Sequence, residues 1–278
     1  MEAAIGEPAI GELAIGELER VAASHWRAPE ESRLGGWLLR AGGGFTGRAN
    51  SALAVGDPGV PLDDALAVVC DWYRVRGLPA MLAVPMRIPG PSSPRHALDD
   101  HLAERAWSLR AAPAFVMTAD LRPHGLTGAP GGLSPSPPPM PPGTGLRMDS
   151  EPDGAWLGRY HYRGQELPPV ARELLMSAVW QRFASIRDSS GAPVAIARLS
   201  VADGWAGITA VEVSAAHRRQ GIGSLITRAV CAEAARQGVE RVFLQVETGN
   251  AAALALYERN GFRYSHRYHY RIAPTSLP

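Results

Sequence analysis

One stretch, Gly204 to Arg236, constrains the fold more than any other. Gly204 to Val213 reads as a strand, Ser214 to Gly223 as a tight loop, and the residues from Ser224 on as an amphipathic helix. Gly221 and Gly223 remove side chains where that helix begins. Several backbone N–H groups, left without partners by helix geometry, can then converge on one anion. The stretch is therefore a candidate phosphate cradle.

Two other phosphate loops are excluded by their residues. A Walker loop needs Gly-Lys-Ser/Thr, and all 28 basic residues here are arginine. A dinucleotide fingerprint needs a third glycine at position 226, which is Ile226. The pattern present is Arg-x-x-Gly-x-Gly at Arg218, Gly221 and Gly223, which resembles the acetyl-CoA pyrophosphate loop of the GNAT (Gcn5-related N-acetyltransferase) superfamily. A second block follows in order: a strand from Arg241 to Glu247, then Asn250 to Phe262 containing Tyr257. It too is similar to that superfamily, and the two blocks together identify residues 151–273 with it.

The resemblance implies an α/β (α+β) fold with a mixed central sheet flanked by helices. It implies that backbone groups of Val211 and Val213 pair with the pantetheine arm of acetyl-CoA. Arg219, Gln220, Gly221, Ile222, Gly223 and Ser224 would surround the pyrophosphate, with Arg218 and Arg219 adding charge-assisted contacts; Asn250 would contact the cosubstrate, and Tyr257 would lie near its sulfur. Physical chemistry supports the loop assignment, since a helix N-terminus favours negative charge by roughly 0.3–1 kcal/mol.

Acyl transfer from a thioester to an amine needs a neutral nucleophile, a polarised carbonyl and a proton for the departing thiolate. Tyr257 is the candidate acid, being protonated at neutral pH with an ordinary pKa near 10. The base is harder to place. Around Gln245 the sequence resembles the branch that acetylates ribosomal-protein N-termini, but Gln245 stands where that branch has its glutamate. Gln245 cannot accept a proton, though it can orient water or the amine. A second glutamate position, that of the histone-modifying branch, falls at about Gly207 and is also empty. Glu212, beside the expected strand distortion, is the replacement candidate; a salt bridge is its competing role. At pH 7 an α-amine of pKa about 8 is roughly 10% neutral and a lysine amine only about 0.04%, so a site without a strong base suits a low-pKa amine.

The rest of the chain is less specific. Residues 4 to 18 repeat Ala-Ile-Gly-Glu-Pro/Leu, which places an extension at 1–17. Residues 18–120 show a helix from Leu18 to Trp26, strands at Gly36–Arg40 and Arg48–Val55 joined as a hairpin, and a helix over Leu62–Arg76. A strand at Met81–Val84, a helix over His101–Ser108 and a strand at Ala114–Thr118 follow. That order parallels the C-terminal half and suggests a degenerate GNAT-like unit. Its loop Gly56 to Pro61 holds Asp57, two prolines and no arginine pair, so it should not hold pyrophosphate. Residues 121–150, around Pro135 to Pro142, read as a proline-rich linker. Residues 151–278 form the expected catalytic unit, with a helix from Pro169 through Trp180.

A net charge of +1 argues against a general polyanion surface. The alternating tail from Phe262 to Arg271 reads as a half-buried strand in preference to a nucleic-acid platform. Two isolated cysteines, Cys70 and Cys231, support neither a disulfide framework nor a metal site. No run approaches the roughly 20 apolar residues of a membrane span. The expectation is a cytoplasmic, metal-free N-acetyltransferase of actinobacterial type, monomeric or homodimeric, using acetyl-CoA on a primary amine of a small molecule or peptide N-terminus. The alternative is a non-catalytic acyl-CoA-binding module.

Overall fold

The computed structural model describes residues 15–88, 96–121, 140–161 and 166–275. The pentad repeat up to residue 14 and most of the proline-rich run around 135–142 lie outside the described residues. In chain order the first half contains α1 (Ile15–Ser24), β1 (Glu30–Leu34), β2 (Trp37–Ala41), β3 (Ala52–Leu53), α2 (Leu62–Arg74), β4 (Met81–Met86), α3 (Ala97–Glu104), β5 (Ser108–Leu109) and β6 (Ala114–Asp120). The second contains β7 (Gly145–Asp149), α4 (Gly154–Arg159), α5 (Val170–Leu175), β8 (Trp180–Arg187), β9 (Pro193–Ala202) and β10 (Trp205–Val213). It closes with α6 (Ile222–Arg236), β11 (Arg241–Glu247), α7 (Ala251–Arg259) and β12 (Arg263–Ile272).

Among the described residues the strands form one twelve-stranded mixed sheet in the order β1-β2-β3-β4-β12-β6-β11-β10-β9-β8-β7, with β5 beside β12. The two halves interleave within it. β6 precedes the proline-rich stretch, yet it is hydrogen bonded between β11 and β12, which follow that stretch. β12 in turn pairs with β4 of the first half, from Arg267↔Met86 to Ile272↔Met81. One core packs α6 and α7 on β8 to β11, with Ile226, Val230, Leu244 and Val246 buried. A second packs α2 and α3 on β2 to β4, where Leu66, Val69 and Tyr73 of the expected helical stripe are buried.

Several sequence expectations are corrected by local chemistry. α1 starts at Ile15, three residues before Leu18, with Leu18, Val21 and Ala22 buried. The strand expected over Arg48–Val55 shrinks to Ala52–Leu53 because Asn50 ties the preceding loop. Its Oδ1 accepts from the Gly42 and Gly44 N–H groups at 2.9 and 2.8 Å, and its Nδ2 donates to Phe45 O and Thr46 O at 2.7 and 2.8 Å. The main hairpin partner of β2 is β1, which periodicity did not reveal since all but one of its residues are exposed. α3 begins at Ala97, where the His96 ring accepts from Asp99 N–H, and has ended before Ala106, whose φ of 57° is left-handed. The helix expected to reach Trp180 stops at Leu175, and Trp180 opens β8. Gly145–Asp149, read as linker, is the edge strand β7, with Leu146 and Met148 against the core. β12 is not half-buried. It lies between two strands, and His269 and Arg271 are buried along with Tyr268 and Tyr270.

Candidate active site

β10 and β11 run parallel and part company halfway along. Their register holds at Ala206↔Val242, Gly207↔Phe243 and Ile208↔Leu244, and then ends although both strands continue. A bulge between Thr209 and Glu212 turns β10, and Ala210 adopts a φ of 54° there. Beyond Ile208 the β10 edge facing β11, which includes Val211 and Val213, has no strand partner among the described residues, while its other edge stays paired with β9. Unpaired backbone in a wedge between two strands can accept an extended, amide-bearing chain as a further strand.

The expected phosphate loop lies at the end of β10. Ser214 Oγ lies 2.7 Å from His217 Nδ1 across a 3-10 turn over Ala215–His217. Arg219 and Gly221 then take left-handed φ angles of 62° and 80°. Left-handed residues on either side of Gln220 are the kind of backbone alternation from which anion-binding nests are built. Gly221 is the N-cap of α6 and supplies no side-chain cap, so the first-turn N–H groups are not closed off by their own cap. Arg218, Arg219, Gln220 and Gly221 are exposed; Arg218 Nε donates to Val213 O at 3.1 Å and Gln220 Nε2 to Ala216 O at 3.0 Å. Ile222 and Gly223 are buried, and the Ser224 hydroxyl accepts from Asn260 Nδ2 at 2.7 Å.

The remaining candidates fall on two faces of the sheet. Tyr257 on α7 lies on the α6 side, 8% exposed, its ring edge-on to Phe262 with centroids 5.7 Å apart. Burial pushes its pKa well above the ordinary value, and nearby Cys231 adds to the shift. Asn250 is exposed and caps α7, its Oδ1 accepting from Ala253 N–H at 3.1 Å. Strand alternation sends Leu244 and Val246 into the core under α6 and places Gln245 and Glu247 on the opposite face. There Arg48 Nη1, from the loop after β2, donates to Gln245 Oε1 at 2.9 Å.

Glu212 is tied to His161. Its Oε2 accepts the His161 backbone N–H at 3.0 Å and its Oε1 lies 3.3 Å from Nδ1. Gly207 has no room for a side chain, since a β-carbon there would stand 2.7 Å from His25 Nδ1 and 3.0 Å from Phe243 Cζ. His25 is itself fully engaged, 2.8 Å from Ser200 Oγ and donating to Ala202 O at 3.2 Å. Sequence reasoning missed Arg48, Arg110 and Glu247, which surround Gln245 or share its cavity. Glu247 was legible as the residue two along the same strand face; the arginines were not, since they arrive from the other half of the chain.

The family described as "Probable histone acetyltransferase Rv0428c C-terminal" matches residues 13–271. The chain belongs to this family. It is thus a GNAT-superfamily acetyltransferase, and the match spans both halves. The "Uncharacterized N-acetyltransferase YobR" of Bacillus subtilis is 29% identical over 270 residues, covering 92% of this chain and 97% of that protein. The "Probable histone acetyltransferase Rv0428c" of Mycobacterium tuberculosis is 29% identical over 268 residues, 91% of this chain and 72% of its own length. Among solved structures, a GCN5-related N-acetyltransferase from Kribbella flavida superposes with a TM-score of 0.65 at 18% identity, covering 94% of this chain and 96% of its own. A tandem GNAT protein from the clavulanic acid biosynthesis pathway gives 0.64 at 15% identity, covering 94% and 89%. Among the described residues of the acetyltransferase, no group of three or more His, Cys, Asp or Glu is placed to hold a metal, and no helix is long and apolar enough to cross a membrane.

Proposed function

We propose that this acetyltransferase moves the acetyl group of acetyl-CoA directly to a primary amine within a ternary complex. The observation that carries the reading is the parting of β10 from β11 at Ile208 and Leu244, with the uncapped α6 N-terminus at the end of the same strand. The residues fit the cosubstrate. The nest at Arg219 and Gly221 suits a pyrophosphate, Arg218 and Arg219 add charge, and the β10 edge at Val211 and Val213, which lies beyond the last β11 pair and whose Val213 O accepts from the Arg218 side chain, suits the amides of pantetheine.

The amine attacks the thioester carbonyl from the face bearing Gln245. The C–N bond forms as the C–S bond breaks, nitrogen gives up one proton, and sulfur gains one. Tyr257, kept protonated by burial, donates a hydrogen bond to sulfur as negative charge grows on it. Gln245, held by Arg48, orients the amine or its water. Of the carboxylates on that face, Glu247 lines the same cavity as Gln245, and Glu212 is tied to His161. By its place on the cavity wall, Glu247 is the proton acceptor in this reading.

The absence of a carboxylate at Gln245 and Gly207 favours a second reading, a binding module that holds acyl-CoA without turnover. Tyr257→Phe separates the two. In an enzyme it lowers kcat by about 10²-fold with CoA affinity and melting temperature preserved. In a module there is no turnover for it to lower.

A further inference from the structure

On the face of the sheet away from α6 lies a cavity of about 130 Å³, whose lining includes Arg48, Arg110, Gln245, Glu247, Tyr268 and Tyr270. We infer that the acceptor is a small amine that itself carries a carboxylate, an amino acid or a close chemical relative, bound in this cavity with its carboxylate toward Arg48 and Arg110. The inference rests on the transferase reading above and names its acceptor class.

Position is the first argument. Gln245 directly follows Leu244, the last β11 residue paired with β10, so this wall of the cavity begins where the wedge opens. An amine resting against Gln245 and Glu247 stands across the sheet from the phosphate loop, on the side from which a thioester in the wedge can be attacked.

Charge is the second. The Arg110 side chain contacts the Met81 sulfur, with Nη1 at 3.6 Å, and its guanidinium stands 5.5 Å over the Tyr270 ring. No carboxylate pairs with it among the described residues. Room for it is made by Gly47, where a β-carbon would stand 2.7 Å from Arg110 Nη1 and 2.7 Å from Tyr270 Cζ. Arg48 brings a second guanidinium to the same wall. Planar guanidinium groups match carboxylates through paired, charge-assisted hydrogen bonds. Glu247, set among these cations, supplies the negative group an ammonium seeks.

Size is the third. At about 30 Å³ per water, the space holds on the order of four waters, enough for a small zwitterion. A lysine-rich protein tail would bring further positive charge to a pocket that already holds two arginines.

The test offers full-length protein matched pairs, glycine against glycinamide and β-alanine against β-alaninamide, reading thiol release from acetyl-CoA. In parallel, calorimetry with CoA present reads the binding of each amine. The acid of each pair should bind about 10- to 100-fold more tightly than the amide, and its kcat/KM, corrected for the fraction of each amine that is neutral, should exceed the amide's by a similar factor. Arg110→Gln should bring both ratios near one, and Arg110→Lys should keep part of the preference. Equal ratios, amide preference in both readouts, or a histone-tail lysine peptide outcompeting the acids would overturn the inference. Acid-selective, Arg110-dependent binding without thiol release from any amine would sink the transferase reading and leave the carboxylate assignment standing.

Discussion

Arg48 Nη1 donates to Gln245 Oε1 at 2.9 Å, joining residues 197 positions apart at the point where β10 and β11 separate. The first half of the chain thereby positions a side chain at the wedge between β10 and β11. Gln245→Glu would set a carboxylate against the same guanidinium and supply a proton acceptor. It should raise kcat/KM for a high-pKa amine about tenfold at pH 7 and flatten the rise in rate between pH 7 and 9. A pH–rate profile with one such amine checks this; an unchanged profile would mean Gln245 does not face the acceptor.

The two loop glycines should fail for different reasons. Gly221 has open space around it but a φ of 80°, so Gly221→Ala costs about 1 kcal/mol in backbone strain and weakens CoA binding by distorting the nest. At Gly223 a β-carbon would stand 2.5 Å from Leu256 Cδ1. Gly223→Val should push α6 from α7 and cost about 1–3 kcal/mol of stability. Urea denaturation and CoA calorimetry on both variants would separate strain from overpacking.

Legibility followed the range of the interactions. The loop proposed to hold phosphate is built within one strand–loop–helix, and its left-handed turns at Arg219 and Gly221 and the start of α6 at Ile222 are local features. The α2 stripe was equally local. What escaped were features decided at a distance. β1 is so exposed that it carries no apolar period, and β6 reveals no partner until β11 and β12 enclose it. Gly145–Asp149 looked like linker because an edge strand needs only Leu146 and Met148 to pack. At the candidate site, Glu212 could have been base or bridge, and only the proximity of His161, 51 positions away, shows it bridged. Arg48 and Arg110 are unremarkable in sequence until the fold brings them to Gln245 and Tyr270.

Acid stability should depend on His25. Burial, aided by the charge of Arg198, lowers its pKa from 6.5 to about 4. The unfolded chain therefore takes up this proton below pH 6.5 while the folded protein does not until about pH 4. Stability from this group is complete above pH 6.5 and is lost as pH falls toward 4, an effect of at most about 3 kcal/mol. His25→Gln should flatten that part of the stability–pH curve, measured by urea unfolding between pH 4 and 7.

Asp99 fastens α3 to the central strand β12. Its carboxylate meets His269 Nε2 at 2.6 Å and Arg271 Nε and Nη2 at 2.7 and 2.9 Å. Asp99→Asn would leave Arg271, 9% exposed, without its counter-charge. A loss of about 2–3 kcal/mol is expected, discounted from the fully buried case because Asp99 is partly solvated. Thermal melts of the variant should show it; a shift under 1 °C would contradict it.

The central claim is acetyl transfer at the β10–β11 wedge. Thiol release from acetyl-CoA by the full-length protein, with a panel of amino acids, small amines and short peptides at pH 7 and 9, tests it most directly. The account predicts amine-dependent release that is greater at pH 9, falls about 10²-fold in Tyr257→Phe and is reduced in Gly221→Ala. CoA binding with no amine-dependent release at either pH would contradict it.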